Sequence, residues 1–351
     1  MRVRASHPKP GRPLFHLCDR VDKMPTCIFC LQEKERLTAE HVFPAALGGA
    51  LVVENSVCVG CNNGFSKFEQ PLIEEFTPLR LLLKIPDRYG NVPAAAATVK
   101  TADKEYEAKV RDDGSIQMKP MVTEIAGENG KREFLHQFAT ERQKEKLRQE
   151  ASRKGLQIIE SGPGDPQEGE VHVGGELEII GSSAGLRTVS KIAFMGLTHF
   201  AGVNLAVRDS FNEIRSHVLN GTGPSPARLF IHEGFLNAVQ QGPHQHSIIM
   251  AARHDRARVD AIVRLFGGLC YCVVLSDHYA GADFFNTLVY DAFRGEINGI
   301  LQSHVDAELL ETDDVLNSPD TVWSDLLASG QRFCNYLDVE VKAYFKRARG
   351  R

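Results

Sequence analysis

The sequence predicts an α+β protein in which a small cysteine-stapled finger precedes a larger α+β domain with an antiparallel meander. Three observations support this fold class. Two Cys-x-x-Cys pairs, CIFC at 27–30 and CVGC at 58–61, bracket a short segment near the amino terminus. A helical spacing of apolar residues follows the second pair, and apolar residues alternate between turn signals across 246–276. Strands and helices in separate blocks are typical of the α+β class.

The chain divides into three regions by composition. Residues 1–24 form a basic amino-terminal arm, residues 25–75 form the finger, and residues 76–351 form the larger α+β domain. The Gly- and Pro-rich segment 160–170 within that domain is expected to be a linker or an insertion. The arm carries arginines and lysines that could follow a phosphate backbone, or serve only as a solubilising terminus.

Each region has its own pattern of expected elements. Helix and strand are distinguished by helical periodicity, by alternation of apolar residues, and by turn dipeptides such as the Asp-Gly pair near residue 113. In chain order, we first expect a finger helix that is bent or divided at Pro71 and Pro78, a β-meander over 95–122, and a charged helix over 134–154 ended by Gly155. A strand over 171–180 and helices over 190–206 and 211–220 should follow. Three antiparallel strands across 246–276 and a helix near 320–330 complete the expected elements.

The composition limits the classes of partner. Charged residues make up 25% of the 351 residues and the formal net charge is -4, so any nucleic-acid binding must come from local basic patches. No apolar run reaches the ~18 residues of a membrane helix and no secretory signal is visible, so we expect no membrane partner. Clustered cysteine pairs without an export signal favour metal binding over disulfides, which predicts a reducing, cytoplasmic location.

The two cysteine pairs predict a structural zinc site. Zinc prefers four thiolates at about 2.3 Å in a tetrahedron, and each Cys-x-x-Cys turn can supply two of them. A finger of this size cannot be held together by apolar burial alone, so the metal would serve as its core. The predicted zinc ligands are Cys27, Cys30, Cys58 and Cys61.

The segment AEHVFPAALGG at 39–49 places an acid and an imidazole side by side between the cysteine pairs. Glu40 offers a hard oxygen ligand that suits Mg²⁺ or a similar cation. His41 has an unperturbed pKa near neutrality, which suits a general base. Adjacent strand residues face opposite sides, so the two can converge on one phosphate only where the strand is twisted or bulged. The Gly48–Gly49 pair allows a tight turn and close backbone approach.

The pattern C-x2-C…EH-x2-P…LGG…N-x2-C-x2-CNN-x-FS, which spans residues 27 to about 72, resembles the HNH endonuclease family. The resemblance is to the branch whose ββα-metal finger is stapled by two Cys-x-x-Cys knuckles. It implies that His41 is the general base, that Glu40 is the first ligand of a catalytic cation, and that Asn55 orients His41 by a hydrogen bond across the hairpin. It also implies that Asn62 is the second cation ligand, with Asn63 as an alternative.

This sequence departs from many family members, which carry Asp and His where it has Glu40 and Asn62. An all-oxygen pair of this kind favours Mg²⁺ or Mn²⁺ over softer metals. The resulting hypothesis is a metal-dependent endonuclease that hydrolyses phosphodiester bonds in nucleic acid. Family analogy favours DNA as the substrate, and cutting both strands with one finger per chain would favour a homodimer.

Two other functions stay open on the same residues. The finger could be a non-catalytic, zinc-stabilised module that binds nucleic acid, or a knuckle that binds another protein. A zinc deaminase is excluded, because that chemistry needs an H-x-E element followed by P-C-x-x-C, and Val57 precedes Cys58 here. His244 and His246 alternate on a predicted strand, which leaves a second metal site as a minor alternative.

Overall fold

A computed structural model describes residues 24–101, 105–119, 121–126, 132–137, 141–154, 170–173, 181–229 and 242–299. Three predicted features lie outside these residues: the basic arm up to residue 23, the linker from 160 to 169, and the helix near 320–330. The described residues form an α+β structure with antiparallel sheets, as the sequence predicts. None of the described helices is long and apolar enough to span a bilayer.

The finger has the predicted ββα order. A short hairpin leads into a long helix whose first residue follows Cys58, and the buried side chains Phe65, Phe68 and Leu72 recur at helical spacing on its inner face. The connecting loop of the hairpin contains a single 3₁₀ turn, Ala45–Leu47. The elements are β1 (Thr38–His41), β2 (Val52–Val57) and α1 (Val59–Glu75).

Of the two prolines expected to bend or divide the finger helix, only Pro78 lies beside a division. Helix α1 continues through Pro71 and ends at Glu75, Phe76 caps it, and the next helix, α2 (Thr77–Leu83), has Pro78 in its first turn. Proline is tolerated there because the first backbone N–H groups of a helix have no intrahelical partner. The turn at Phe76 therefore sets the direction in which the chain leaves the finger.

The predicted β-meander forms a small four-stranded sheet of order β5-β4-β3-β8. Gly114 has a φ of +79° in the turn that follows β4, where the Asp-Gly pair predicts it. Only the first part of the strand predicted over 171–180 is described, and it pairs with β3. The strands are β3 (Ala95–Lys100), β4 (Glu105–Val110), β5 (Ile116–Met118) and β8 (Glu170–Val173).

The helix predicted over 134–154 is wrong in its first part. A separate two-stranded sheet, β6 (Met121–Ala126) and β7 (Arg132–Gln137), precedes helix α3 (Glu141–Arg153). Residues 132–137 pair in antiparallel register with β6, Met121 opposite Gln137. Backbone pairing with a neighbouring strand outweighs the helical propensity of this short charged segment, which single-sequence periodicity cannot detect.

The apolar helix predicted over 190–206 begins earlier and is divided. Helix α4 (Ser183–Ala201) is capped by Ser182, whose Oγ accepts a hydrogen bond from the Gly185 N–H at 3.1 Å. It ends at Gly202, whose φ of +82° cannot continue a helix, and α5 (Val203–Ala206) follows. A 3₁₀ turn, Asp209–Phe211, leads into α6 (Asn212–Asn220), close to the helix predicted over 211–220.

The large sheet has six antiparallel strands in the order β14-β13-β10-β11-β12-β9. Its centre is the predicted three-stranded meander, and a turn at Gly267 and Gly268 joins β11 to β12. Helix α4 packs closely on one face, since a Cβ at Gly196 would lie 2.8 Å from Ile248 Cδ1. The strands are β9 (Ala227–Leu229), β10 (Gln245–Arg253), β11 (Arg258–Leu265), β12 (Leu269–Ser276), β13 (Phe284–Asp291) and β14 (Glu296–Gly299).

One apolar cluster runs from the finger through α4 to the large sheet. The ring centroid of Phe29, in the first cysteine turn, lies 4.7 Å from that of Phe65 and 5.2 Å from that of Phe194 on α4. The ring of Phe76 lies 4.7 Å from that of Phe266 at the end of β11. The finger is thus packed against the rest of the chain, and the boundary drawn at residues 75 and 76 stays a prediction.

The loop between β1 and β2 is fixed on the large sheet by hydrogen bonds between its backbone and the side chain of Tyr290. The Tyr290 hydroxyl donates to Gly48 O at 2.8 Å and accepts from Ala50 N at 2.7 Å. Gly48 has a φ of +88°, and a Cβ there would lie 2.7 Å from Ile85 Cγ2. A Cβ at Gly49 would lie 2.1 Å from Phe43 O. The tight turn and close approach predicted for the glycine pair are therefore confirmed.

The fully buried His246 also holds this loop. Its Nδ1 accepts a hydrogen bond from the Phe266 N–H at 3.2 Å, so Nε2 carries the proton and donates to Leu47 O at 3.0 Å. Both ring nitrogens are thereby occupied, and the alternative of a metal site at His244 and His246 is wrong. A second proton, on Nδ1, would point an N–H group of His246 at the Phe266 N–H, and the hydrogen bond between them would be lost.

Acid is expected to weaken the fold through His246. Burial lowers the pKa of His246 to about 4 from the 6.5 of an exposed ring, so the unfolded chain binds more protons between these values. Stability from this group should be complete above pH 6.5 and fall as the pH drops from 6.5 to 4, by about 3 kcal/mol. Urea unfolding across this range measures the effect. In His246→Gln, which keeps a donor and an acceptor but does not titrate, this component should disappear; an unchanged pH profile would contradict the assignment.

Candidate active site

The four paired cysteines converge at the base of the finger. Their sulfur atoms all lie within 4.8 Å of one another, and the Cys30 and Cys58 sulfurs are 3.8 Å apart. Four sulfurs around a tetrahedral zinc at about 2.3 Å would be separated by about 3.8 Å. Cys27 and Cys30 flank the turn that begins at residue 28, and Cys58 and Cys61 lie at the start of α1.

Four thiolates at this spacing need a cation between them. A hydrogen bond from Cys61 lowers the pKa of Cys27, and the same contact raises the pKa of Cys61. Burial raises the pKa of Cys30. One thiolate is stabilised at the expense of its neighbours, because four adjacent negative charges repel each other strongly at this spacing. A divalent soft cation removes that repulsion, so the four cysteines fit Zn²⁺.

Glu40 lies on β1 and is almost fully buried, with 5% of its surface exposed. Its Oε1 accepts a hydrogen bond from the ammonium of Lys191, which is itself fully buried on α4. The same ammonium contacts Glu69 Oε1 on α1 at 2.8 Å and His41 O at 3.4 Å. One buried lysine therefore joins β1 and α1 of the finger to α4.

Three charges share this cluster, which gives it a surplus negative charge when both acids are ionised. Burial raises the pKa of Glu40, although the charge of Lys191 opposes the effect. Burial alone would lower the pKa of Lys191, but Glu69 and Glu40 outweigh it and raise that pKa. Both directions follow from two carboxylates and one ammonium in a dry site, and the ammonium form of Lys191 is the one they favour.

Sequence reasoning missed Lys191 and Glu69. A signal for each was present in the sequence. Glu69 lies seven residues after Asn62 and hence on the same face of α1, and Lys191 is the one charged residue in the apolar run TVSKIAFMGLT at 188–198. A single lysine within a buried helix requires an acidic partner.

His41 ends β1 opposite Val52 and is partly buried. Burial lowers its pKa, and the positive charges of Lys191 and Arg88 lower it further. The neutral ring is therefore the favoured form near pH 7. This is the protonation state that a general base requires before it takes a proton.

The hairpin is irregular between Thr38 and Glu40, whereas Glu40 and His41 pair in regular register with Val53 and Val52, so the convergence of these two side chains stays a prediction. Thr38 pairs with Val57 but Glu40 pairs with Val53, so β2 carries two extra residues opposite Ala39. Asn55 lies in this bulge with a φ of +48° and is exposed. No hydrogen bond joins the Asn55 side chain to His41 in the described part of the chain, and its predicted orienting role stays a prediction.

Asn62 faces the hairpin from the first turn of α1. Its Nδ2 donates to Thr38 Oγ1 at 3.1 Å and to Ala39 O at 3.3 Å, beside Glu40. These contacts occupy the amide nitrogen and leave the role of ligand to Oδ1. The alternative, Asn63, is exposed and its side chain has no such contact with β1 among the described residues. The structure therefore brings Asn62 rather than Asn63 to the strand that carries Glu40 and His41.

The comparison with protein families finds one segment of similarity. Residues 27–77 match a family model described as HNH endonuclease. The matched segment contains the four cysteines, Glu40, His41, Asn55 and Asn62, and it ends at the start of α2. No curated protein sequence and no solved structure matches the chain. The match covers residues 27–77, so this segment is similar to the HNH endonuclease family, and its four clustered cysteines are consistent with the branch that has paired cysteine knuckles.

Proposed function

We propose that the chain is a metal-dependent endonuclease that hydrolyses phosphodiester bonds in nucleic acid, with His41 as the general base. The observation that carries the proposal is a partly buried imidazole, kept neutral by burial and by nearby cations, in a segment that is similar to the HNH endonuclease family. Similarity to that family implies a nucleic-acid substrate in general. DNA as the particular substrate is part of the proposal.

Each residue of the finger has a distinct task in this mechanism. His41 takes a proton from the attacking water, which is the step that requires its neutral form. Glu40 and Asn62 offer oxygen ligands that suit Mg²⁺ or Mn²⁺, and the hydrogen bond from Lys191 to Glu40 is the kind of support that ligating carboxylates commonly have. A bound divalent cation would stabilise the negative charge that develops on the phosphate and the leaving oxygen. Asn55 would help to orient His41 once substrate is bound.

The zinc site has a structural task in the same proposal. Its four ligands leave no open position, so it holds the finger and takes no part in the reaction. A reducing compartment such as the cytoplasm would keep these thiols free for zinc. Cutting of both strands would require two fingers, which favours a homodimer.

Replacement of His41 by Ala is expected to lower the rate of plasmid cleavage about 10²- to 10⁴-fold, the usual contribution of a general base. Cleavage is measured with Mg²⁺, with Mn²⁺ and in chelator-treated buffer, so that the added cation is absent while the tightly bound zinc stays in place. His278→Ala is the matched control, since His278 is exposed and lies outside the finger. The control should cleave as fast as the wild type.

The same assay separates the proposal from its alternatives. Plasmid binding without cleavage in the wild type, under every cation condition, would instead support a non-catalytic nucleic-acid-binding module. Absence of both binding and cleavage would support a protein-interaction module. Cleavage that persists in His41→Ala would show that another residue is the base.

A further inference from the structure

The loop at residues 86–92, which follows α2, has a fixed conformation. Asp87 Oδ1 accepts hydrogen bonds from Tyr89 N at 2.8 Å and from Asn91 N at 2.9 Å. The backbone adds a bond from Gly90 N to Asp87 O at 2.9 Å. These hydrogen bonds fix the backbone of the loop and hold Arg88 and Tyr89 at the tip of the loop.

Arg88 and Tyr89 present a cation and an aromatic ring to the solvent. Tyr89 has 70% of its surface exposed, the largest fraction among the exposed large hydrophobic side chains that the structure describes. The guanidinium carbon of Arg88 lies 4.7 Å from the centroid of the Tyr89 ring. The stacked pair is thus ordered in advance, with one ring face and one cation available to a ligand.

The loop lies beside the catalytic end of the finger. Ile85, the residue before the loop, packs against the Gly48 turn that joins β1 to β2. His41 and Val52 form the pair of the hairpin nearest to that turn. The charge of Arg88 is also near enough to act on the His41 ring. The loop that carries the pair therefore begins beside the turn of the hairpin that carries His41.

We propose that Arg88 and Tyr89 form a binding site for an unpaired nucleotide of the substrate strand, with its phosphate at the guanidinium and its base stacked on the phenol ring. The identity of the ligand rests on the proposed nuclease function. Arginine binds phosphate through parallel N–H donors, and every nucleobase has a face that can stack on an aromatic ring. A base inside a duplex has no free face, so the site selects single-stranded or locally opened nucleic acid.

The test measures binding of fluorescein-labelled oligonucleotides by anisotropy, in a His41→Ala background so that cleavage does not interfere. Single-stranded DNA, duplex DNA and single-stranded RNA of one sequence are compared over a range of salt concentrations. Tyr89→Ala should weaken single-strand binding roughly 5- to 150-fold, whereas Tyr89→Phe should bind as the parent does. Arg88→Gln should reduce the slope of log K against log salt by about 0.7, the value for one phosphate contact on a single strand.

The salt slope and the affinity separate the two residues. Tyr89→Ala should leave the salt slope unchanged, because stacking releases no counterion. Arg111→Gln, at an exposed arginine that follows β4 in the small sheet, is the matched charge control and should leave binding unchanged. Preference for RNA over DNA among the single strands would identify the source of the nucleotide.

The outcomes distinguish this inference from the nuclease proposal. If Arg88→Gln and Tyr89→Ala bind as tightly as the parent while the wild type still cleaves plasmid, the inference is wrong and the nuclease stands. If both variants lose single-strand binding in a protein that never cleaves, the binding site stands and the nuclease does not. The binding-site inference would also be overturned if the parent bound none of the three oligonucleotides, or if the variants lost affinity equally for duplex and for single strands.

Discussion

Replacement of Lys191 by Met should lower the free energy of unfolding by about 3–5 kcal/mol, the usual effect of removing one partner from a buried ion pair. Lys191 is fully buried and joins Glu40 on β1 to Glu69 on α1. Methionine fills a similar volume but leaves two carboxylates in a dry site without a counter-ion. They must then ionise at high cost or take up protons. Urea unfolding at neutral pH, with zinc content verified, measures the loss.

Companion variants show whether the loss comes from the charges. Glu40→Gln and Glu69→Gln, added to Lys191→Met, remove the unpaired carboxylates, so the triple variant should recover a large part of the lost stability. Lys154→Met is the matched control, because Lys154 forms an exposed i,i+4 ion pair with Glu150 on α3. Its effect should stay below about 0.5 kcal/mol. A Lys191→Met protein as stable as the wild type would show that the cluster does not hold the finger to α4.

The position of Lys191 marks the limit of what local sequence could predict. The cysteine cluster, the finger helix and His41 fall within one short segment and follow from residue types and spacing, while the resemblance to HNH endonucleases implies the hairpin. Lys191 is separated from Glu40 by 151 positions in sequence. Nothing in the spacing of α4 states which acid its lysine meets, since that depends on how the helix packs between the finger and the large sheet.

The same reason explains the errors in the fold. The meander across 246–276 was predictable because its strands are joined by short turns and alternate in pattern. The sequence predicts a helix from residue 134, whereas residues 132–137 form β7, because the pairing of β7 with residues 121–126 leaves no signal in the local sequence. The wider order of the large sheet places β13 beside β10 and β9 beside β12, which are pairings between segments that are not neighbours in sequence.

The hydrogen bonds of His246 and Tyr290 to the finger loop were likewise outside the reach of the motif. They bind Leu47, Gly48 and Ala50 from strands β10 and β13, which lie 199 to 242 residues further along the chain. Because these bonds hold the loop close to its neighbours, a Cβ at Gly48 would clash with Ile85 and Ala292, and a Cβ at Gly49 would clash with Phe43. Both positions therefore require glycine. Part of what resembles a local turn signal is therefore a requirement of tertiary packing.

Replacement of Cys58 by Ser is expected to remove zinc from the chain and unfold the finger. Ser offers no thiolate, and three sulfurs hold zinc far less well than four. Structural zinc contributes about 10–16 kcal/mol to the folding of isolated fingers near neutral pH. This finger also packs through Phe29 and Phe65 against Phe194, so part of that loss should reach α4. Metal analysis measures the zinc, and hydrogen exchange measures protection in residues 27–31 and in α1.

Cys270→Ser separates loss of zinc from loss of a buried thiol. Cys270 is as buried as Cys58 but lies on β12, outside the cluster of four sulfurs. Its replacement should cost some stability by burying a hydroxyl, yet the protein should keep one zinc per chain and full protection in the finger. If Cys58→Ser also kept one zinc per chain and a protected α1, the four cysteines would not be the ligands. The arrangement of His41, Glu40 and Asn62 would then need another source of rigidity, because β1 contacts the start of α1 through Thr38 and Asn62, and Asn62 directly follows the cysteine ligand Cys61.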